Sequence, residues 1–305
     1  MPSSTLFLDQ SESQKRQYID AETVFLALAK AKKSAAEVRG SMLWRDLRGK
    51  RTLIRTSASG AQKSLGPHSD AAQAMYDSFV ARKTAADARL KALKAQNATQ
   101  QRLNRALRVG RVPNVVVSVI NALESMGVQD HFLVVGTHAL YAYESAAGVR
   151  IAEEAMATRD VDMLFDTRKH IAFFTAMKKL DSSLIGVLRK VDPSFEVVQD
   201  QLYTARNQDG FEVDIIRRAA KDADPHPLQS ARRMDQMVVA TSGEMALMRT
   251  IHPLDFARIK QDLSAQIGRD PNKSGKDALQ SRIVTELVNE YLPHLSLASP
   301  EGNNF

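Results

Sequence analysis

The spacing of apolar residues divides the chain into predicted helices and predicted strands. Helical spacing covers residues 11–39, 69–109, 115–126, 137–147, 168–180 and 253–291. Short apolar runs between turn residues predict strands at residues 132–135, 158–165, 195–198, 202–205 and 211–216. Helices and strands alternate after Pro113, and this order predicts an α+β fold with a mixed sheet and flanking helices.

The first third of the chain has a different pattern. Residues 41–67 predict a short β-hairpin between two helices, with its turn at the Ser and Gly cluster of residues 56–60. The composition changes again near residues 110–113. We therefore expect a mainly helical N-terminal module over residues 1–111, the sheet domain over residues 112–220 and a helical C-terminal subdomain over residues 221–305.

The composition restricts the class of protein. The chain has 305 residues, 44% of them hydrophobic, which is enough for a sizeable core. It contains no cysteine, so disulfides and cysteine-ligated zinc are excluded. The N-terminus has no basic-then-apolar signal pattern, and no apolar run approaches the roughly 20 residues that a membrane helix needs. We expect a cytoplasmic protein with no membrane partner.

Positive charge is concentrated in the predicted N-terminal module. The whole chain has a net charge of +7, yet residues 30–111 hold 19 Lys and Arg against 5 Asp and Glu. This asymmetry favours a polyanion or an acidic protein as partner, although a basic helical surface also occurs without any ligand. Trp44, in the same segment, suits either base stacking or a small hydrophobic cluster. The candidate nucleic-acid contacts on the hairpin are Arg45, Arg48, Lys50, Arg51 and Arg55.

Two acidic residues share one face of a predicted strand. Side chains alternate along a strand, so Asp160 and Asp162 point to one side while the apolar residues between them point into the core. Asp214 lies in a second strand of similar pattern. Neighbouring carboxylates repel each other and are tolerated where a cation neutralises them, and hard oxygen ligands suit Mg²⁺. A single Asp-x-Asp alone is more often a surface turn.

The ordered set of a glycine turn, an Asp-x-Asp strand and a later Asp resembles the nucleotidyltransferase fold of the DNA-polymerase-β superfamily. Gly136-Thr137, Asp160, Asp162 and Asp214 fill those positions. Thr137 stands where Gly or Ser is usual, and the spacer to Asp160 is longer than the superfamily norm. Longer strings around these residues look like one bacterial subfamily of largely uncharacterised nucleotidyltransferase-fold proteins.

This resemblance implies a reaction and a set of roles. A nucleophile attacks the α-phosphorus of a nucleoside triphosphate and pyrophosphate leaves, with two Mg²⁺ ions, or alternatively Mn²⁺, stabilising the attacking and leaving oxygens. Asp160 and Asp162 would hold both ions, and Asp214 would bind one of them and help to deprotonate the acceptor. The residues expected to bind the nucleotide, ATP among the candidates, are Gly136, Thr137, Lys260, Arg269, Lys273 and Lys276.

Other residues near these motifs favour structural interpretations. Glu212 falls on the same strand face as Asp214, and we expect it to be solvated rather than a ligand. His138 follows the glycine turn, and a helix-surface position is expected for it. Lys260 is by default a solvated lysine, and Asp277 suits a contact across its own helix.

Three functions remain open on the sequence. The first is nucleotidyl transfer to a nucleic acid, for example a tRNA 3′ end, with the basic module holding phosphates. The second is NMPylation of a protein hydroxyl, as in toxin–antitoxin or regulatory systems. The third is a non-enzymatic nucleotide-binding module, against which the presence of all three acids argues. The nucleotide base, the acceptor and the oligomeric state are not determined by the sequence, and a small-molecule acceptor stays open.

Overall fold

The chain divides into two compact units in a computed structural model of the protein. The structure describes residues 6–47, 49–156, 160–165, 184–199, 201–216 and 227–296. One unit comprises residues 16–107, and the other comprises residues 1–15 together with residues 108–305. The helix predicted over residues 168–180 lies outside the described residues.

The mixture of helices and strands agrees with the predicted α+β class. The described helices are α1 (Glu12–Glu37), α2 (Asp70–Ala106), α3 (Asn114–Ser125), α4 (Leu140–Ala147), α5 (Glu153–Met156), α6 (Leu184–Val191), α7 (Pro227–Ser230), α8 (Pro253–Ser264), α9 (Pro271–Tyr291) and α10 (Pro293–Ser296). The described strands are β1 (Phe7–Asp9), β2 (Ser41–Leu47), β3 (Lys50–Thr56), β4 (Gln62–Pro67), β5 (Phe132–Val135), β6 (Val149–Ile151), β7 (Asp160–Phe165), β8 (Glu196–Val198), β9 (Gln201–Arg206), β10 (Glu212–Ile216), β11 (Arg233–Val239) and β12 (Met245–Ile251). None of the helices within the described ranges has an apolar stretch that would cross a membrane.

A mixed sheet forms the centre of the larger unit. Among the described residues its strand order is β5-β7-β10-β9-β8, and β7 and β10 run parallel while the other neighbours run antiparallel. Every residue of β5 is buried, as the continuous apolar run predicted. Helix α3 packs against this region through a buried face that contains Val116, Ile120 and Leu123. The sheet therefore fixes the relative positions of the side chains on β7 and β10.

A β-hairpin that the sequence analysis did not predict packs beside β5. Strands β11 and β12 are antiparallel, and β12 lies against β5 and α3. In the outer half of β11 exposed charged residues alternate with partly buried residues, whereas Met237, Val238 and Val239 at its end are buried. Helices α8 and α9 pack closely on each other, with Phe256 and Ile283 buried in the same core.

The helical region predicted over residues 253–291 contains two separate helices. Helix α8 ends at Ser264, and the basic residues after it belong only in part to the connection, because α9 already begins at Pro271. The side chain of Asp270 accepts hydrogen bonds from the backbone N–H groups of Asn272 and Lys273, and proline occupies the first turn. An Asp cap followed by proline is a strong helix start, so Lys273 and Lys276 lie in the first two turns of the helix.

The smaller unit contains two long helices and a small sheet. Helix α2 is continuous from Asp70 to Ala106 and is capped by Ser69. Small buried residues on α1, such as Ala21, Ala31 and Ala35, give this helix a narrow buried face. Strands β2, β3 and β4 pair in that order within the described residues. The hairpin predicted with its turn at residues 56–60 corresponds to β3 and β4, and β2 adds a strand that was not expected.

The first strand belongs to the larger unit. Strand β1 pairs antiparallel with β6, which places residues before Arg16 with the residues after Leu107. The carbonyl oxygen of Arg108 accepts a hydrogen bond from Gln14 Nε2 at 3.1 Å and another from Arg150 Nη2 at 2.7 Å. The chain leaves the larger unit after residue 15 and returns to it at residue 108, and the hydrogen bond from Gln14 to Arg108 links these two points.

Candidate active site

The two parallel strands β7 and β10 bring the predicted acids together. Asp214 lies opposite Asp162 in the strand register, and Glu212 lies opposite Asp160. Val161 and Met163 are 1% and 3% exposed, so the apolar residues point into the core and the acids point to the other face. One oxygen atom of each of Asp160, Asp162 and Asp214 lies within 4.8 Å of the others. The predicted convergence of the three carboxylates on one sheet face is thus present.

The electrostatics of these carboxylates suit a bound cation. Burial and the negative charges of Asp160 and Asp214 together raise the pKa of Asp162 to about 6, although the charges of Lys260 and Lys276 lower it. Asp214 Oδ1 is buried and has no hydrogen-bond partner among the described residues. A buried oxygen without a donor, next to two further carboxylates, is the environment that a hard divalent ion stabilises. The residues present therefore fit a divalent metal ion.

Gly136 makes room for one of these acids. It follows β5 with φ of +63°, and a Cβ atom placed there would lie 2.1 Å from Asp162 Oδ2. Glycine is required both by this left-handed conformation and by the approach of the carboxylate. The next residues form a 3₁₀ turn, Gly136–Ala139, before α4 begins at Leu140, so the predicted helix starts a turn later than expected.

Thr137 is held from the C-terminal helix. It is buried, and its Oγ1 accepts a hydrogen bond from Gln280 Nε2 at 3.1 Å, while the same amide donates to the Ala155 carbonyl at 2.8 Å. The threonine hydroxyl accepts in this contact and retains its own proton for donation. A phosphate contact of Thr137 remains a prediction, and the hydroxyl that would make it is positioned by α9.

His138 does not lie on a helix surface, and that prediction is wrong. Its side chain is 1% exposed and packs against the rings of Tyr141 and Phe211. Burial lowers the pKa of His138 to about 4, although the charge of Asp160 and a hydrogen bond to its backbone act in the opposite direction. The short 3₁₀ turn packs against β7, and this tertiary contact buries the imidazole in its neutral form.

Two of the predicted nucleotide-binding cations share one buried carboxylate. Asp277 accepts a hydrogen bond from Lys260 Nζ at 2.7 Å and another from Arg269 Nε at 2.6 Å. Asp277 was expected to make a contact across its own helix, whereas it links α9 to α8 and to the connection between them. Lys260 is accordingly an ion-paired residue and not a solvated one.

The two other predicted cations occupy different environments. The charge of Lys276 acts on Asp162, and burial lowers the pKa of Lys276 while the charges of Asp160, Asp277 and Asp162 raise it. Lys276 is therefore close to the acidic cluster. Lys273 lies exposed in the first turn of α9, where its backbone N–H donates to the Asp270 side chain.

Glu212 is part of an ion pair on the neighbouring strands. Its carboxylate accepts a hydrogen bond from Arg206 Nε at 2.6 Å. The side chain of Glu212 is 27% exposed, so it is neither fully solvated nor one of the three grouped acids. Arg206 on β9 thereby neutralises the carboxylate next to Asp160.

The residues predicted to contact nucleic acid lie in the smaller unit and differ in their exposure to solvent. Arg45, Lys50 and Arg51 are exposed, whereas Arg48 lies outside the described residues. The Arg55 guanidinium donates to the Ser41 and Arg39 carbonyl oxygens at 3.0 and 2.5 Å and lies over the ring of Phe79. Arg55 therefore stabilises its own unit.

Trp44 belongs to an aromatic cluster of the smaller unit. Its ring centroid lies 5.0 Å from that of His68 and 6.1 Å from that of Tyr76. The Arg51 guanidinium lies over the indole at 5.3 Å. The structure thus agrees with the hydrophobic-cluster interpretation of Trp44.

Two polar residues of α9 lie beside the candidate site at positions that were not predicted. Asp277 and Gln280 are 3% and 0% exposed, and they extend the buried stripe formed by Val284 and Leu287. Polar residues that fall on the apolar stripe of a helix are a signal that the sequence does contain. Buried polar groups need hydrogen-bond partners, so such residues indicate contacts with polar groups of other segments.

Comparison with known proteins identifies the family. No curated protein and no solved structure matches the chain. A family model described as nucleotidyltransferase matches residues 114–301, which is more than half of the chain. The matched region contains the glycine turn, the three grouped acids and the helices that carry Lys260 and Asp277. The chain therefore belongs to this nucleotidyltransferase family.

Proposed function

We propose that the protein transfers a nucleoside monophosphate from a nucleoside triphosphate to an acceptor hydroxyl and releases pyrophosphate. The observation that carries this proposal is the convergence of Asp160, Asp162 and Asp214 within 4.8 Å beside the Gly136 turn, in a chain of the nucleotidyltransferase family. A non-enzymatic binding module would have no need of three mutually repelling acids on one sheet face.

The three acids would hold the metal ion or ions that this reaction uses. Asp160 and Asp162 are the expected shared ligands, and Asp214 is the third. Mg²⁺ is the expected ion because all three donors are hard oxygen atoms. A divalent ion bound there supplies positive charge to the phosphate oxygens of the substrate.

The reaction needs one bond to form and one to break. The acceptor oxygen bonds to the α-phosphorus, the bond from that phosphorus to the bridging oxygen of pyrophosphate breaks, and the acceptor proton is lost. Asp214 is the candidate proton acceptor, because its Oδ1 has no hydrogen-bond partner within the described part of the chain. Gly136 and Thr137 would meet the phosphates through backbone N–H groups and the threonine hydroxyl.

Positive groups near the acids would bind the triphosphate. Lys260 and Lys276 both act electrostatically on Asp162. Lys260 and Arg269 are held together by Asp277, which supports their assignment to one phosphate-binding group. Lys273 is a more peripheral candidate, since it is exposed at the start of α9.

A nucleic acid is the acceptor class that the charge of the smaller unit favours. Lys91, Lys94, Arg102 and Arg105 are exposed on α2. At 3.6 residues per turn these four side chains fall within an arc of about 80° and extend over about 20 Å. A basic stripe of this length suits a run of backbone phosphates. Arg45, Lys50 and Arg51 would add contacts, whereas Arg55 would not.

The experiment that tests the proposed function is labelling with each of the four α-³²P-labelled nucleoside triphosphates in the presence of Mg²⁺, total RNA and total protein. Label in RNA supports the nucleic-acid acceptor, and label in protein replaces it by a protein acceptor. Asp160→Asn and Asp162→Asn should abolish labelling. Asp235→Asn is the control, because Asp235 is an exposed acid on β11 that pairs with Arg249 at 3.7 Å and is not one of the three grouped acids.

Nucleotide binding provides a second and independent measurement. The correct nucleotide with Mg²⁺ should raise the melting temperature, because a ligand that binds only the folded state stabilises it. The absence of both labelling and a shift with any of the four nucleotides at millimolar Mg²⁺ would overturn the proposal.

A further inference from the structure

A single buried carboxylate fixes two cations that come from different elements. Asp277 on α9 is 3% exposed. Its Oδ1 accepts from Lys260 Nζ on α8 at 2.7 Å, and its Oδ2 accepts from Arg269 Nε, in the connection between the helices, at 2.6 Å. The side chains of Lys260 and Arg269 are only 13% and 25% exposed. One negative charge therefore holds two positive ones, and a positive charge is left over for a further anion.

This group lies close to the acidic cluster. Gln280 follows Asp277 by about one helical turn and donates to Thr137. Thr137 follows Gly136, whose Cβ position is blocked by Asp162. The charge of Lys260 also acts on Asp162. The cations held by Asp277 are thus placed beside the three carboxylates.

We propose that Asp277 is a positioning residue, which fixes Lys260 and Arg269 so that both cations meet the triphosphate of the nucleotide. The inference rests on the proposed function, because it concerns how the same site binds its substrate. Lysine and arginine have long, flexible side chains, and ordering them upon binding opposes affinity. In the arrangement found here the bonds to Asp277 restrict both side chains before a ligand arrives.

The charge of Asp277, and not only its shape, is required by this role. Asp277→Asn keeps the shape of the side chain but leaves two cations facing a neutral amide. Lys260 would then reorient toward the nearby acids, since an unpaired buried charge is unfavourable. The two cations would no longer be aligned for the triphosphate. Asp277→Glu keeps the charge and should restore part of the alignment.

The first test is a calorimetric titration of the full chain, loaded with Mg²⁺, with inorganic triphosphate. We expect Asp277→Asn to lower the affinity at least about tenfold, as charged hydrogen-bonding pairs are lost. The matched control is Glu144→Gln. Glu144 is 5% exposed and ion-paired with Arg111 in the same unit, so this variant removes a comparable buried charge without altering triphosphate affinity.

The second test asks whether Asp277 acts through Lys260. If it does, the effects of Asp277→Asn and Lys260→Ala on triphosphate affinity will not add in the double variant, because both remove the same interaction. In the labelling reaction, Asp277→Asn should raise KM for the nucleotide more than it lowers kcat. Asp277→Glu should recover part of the affinity, and it replaces Asp277→Asn if the amide variant does not fold.

The outcomes separate this inference from the proposed function. A wild-type chain that shows no labelling, no nucleotide-dependent melting shift and no triphosphate binding overturns the proposed function, and the inference with it. A wild-type chain that labels an acceptor but binds no triphosphate overturns the inference alone. If Asp277→Asn binds triphosphate as tightly as the wild type does, the inference alone is overturned. The same holds if the losses caused by Asp277→Asn and Lys260→Ala are additive, or if Glu144→Gln weakens binding equally. In those cases Asp277 only joins α8 to α9.

Discussion

The carboxylate of Asp162 occupies the space in which a side chain at Gly136 would lie, with only 2.1 Å between Oδ2 and the Cβ position. The turn after β5 and the acid on β7 are thus fitted to each other. Any residue other than glycine moves either the turn or the acid. The geometry of the candidate metal ligands therefore depends on a residue that has no side chain.

Gly136→Ala should weaken metal binding. The added methyl group displaces Asp162, and the positive φ costs about 1–2 kcal/mol of stability for an L-residue. Gly127→Ala is the matched control, since Gly127 has φ of +69° and nothing within 4 Å of its Cβ position. We expect both variants to lose stability in urea, and only Gly136→Ala to lose Mn²⁺ affinity in a calorimetric titration. Equal Mn²⁺ affinity of the two variants would contradict the prediction.

Asp162→Asn should stabilise the metal-free protein. Asp162 has a pKa of about 6 in the folded state against an ordinary value of 3.8, so its ionised form opposes folding. This destabilisation of the folded state is absent below about pH 4, where the carboxyl is protonated in both the folded and the unfolded state. It grows between about pH 4 and pH 6 and stays constant above about pH 6. At pH 7.5 in EDTA we expect a gain of about 1–3 kcal/mol in urea unfolding.

Two measurements check the origin of that gain. The difference between Asp162→Asn and wild type should vanish at low pH. Mg²⁺ should reduce it at pH 7.5, because the ion stabilises the wild type and not the variant. A gain that is the same at pH 4 and pH 7.5 would show that charge is not its cause.

Removal of the amide at position 280 should destabilise the glycine turn. Gln280→Leu leaves the buried carbonyl of Ala155 without its donor and removes the bond to Thr137. The expected loss is about 1–3 kcal/mol, typical of a buried group left unsatisfied. Thr137→Val removes only the second contact and should cost less. Urea unfolding of both single variants and the double variant measures the coupling, and additive losses would contradict a direct interaction.

Lys276→Ala should reduce nucleotide binding more than Lys273→Ala. Lys276 acts on the acidic cluster, whereas Lys273 is exposed in the first turn of the same helix. The nucleotide-dependent rise in melting temperature should therefore fall strongly in the first variant and little in the second. A reversed order would place the phosphates near the start of α9 instead.

Neutralising the basic stripe on α2 should reduce nucleic-acid affinity and its salt dependence. We expect replacement of Lys91, Lys94, Arg102 and Arg105 by Gln to lower the slope of log affinity against log salt by up to about 3 for a single strand, at about 0.7 for each phosphate contact. Arg282→Gln, an exposed substitution in the other unit, is the control. Nucleotide-dependent melting should be retained. An unchanged slope would favour a protein acceptor.

The sequence predicted the parts of the fold that depend on local pattern. Strand β5 is a buried apolar run, and β7 carries acids on alternate positions, so both were predictable from neighbouring residues alone. The convergence of Asp160, Asp162 and Asp214 followed from that alternation together with the family resemblance.

The missed features depend on contacts between distant segments. The burial of His138 comes from packing of its turn against β7, and the pairing of Asp277 with Lys260 joins two helices. Strand β11 begins with polar residues and is defined by its pairing with β12. Such features follow from tertiary contacts, which periodicity along the chain does not show.

The pairing of β1 with β6, and the bonds that Gln14 and Arg150 make to Arg108, give the smaller unit the topology of an insertion. Residues 16–107 interrupt a chain whose flanking ends are already tied together. Because closing a short loop between adjacent points costs little entropy, a brief Gly/Ser linker could replace the whole insertion. The nucleotidyltransferase-family region and the segment proposed to recognise the acceptor would then be separable by genetic excision.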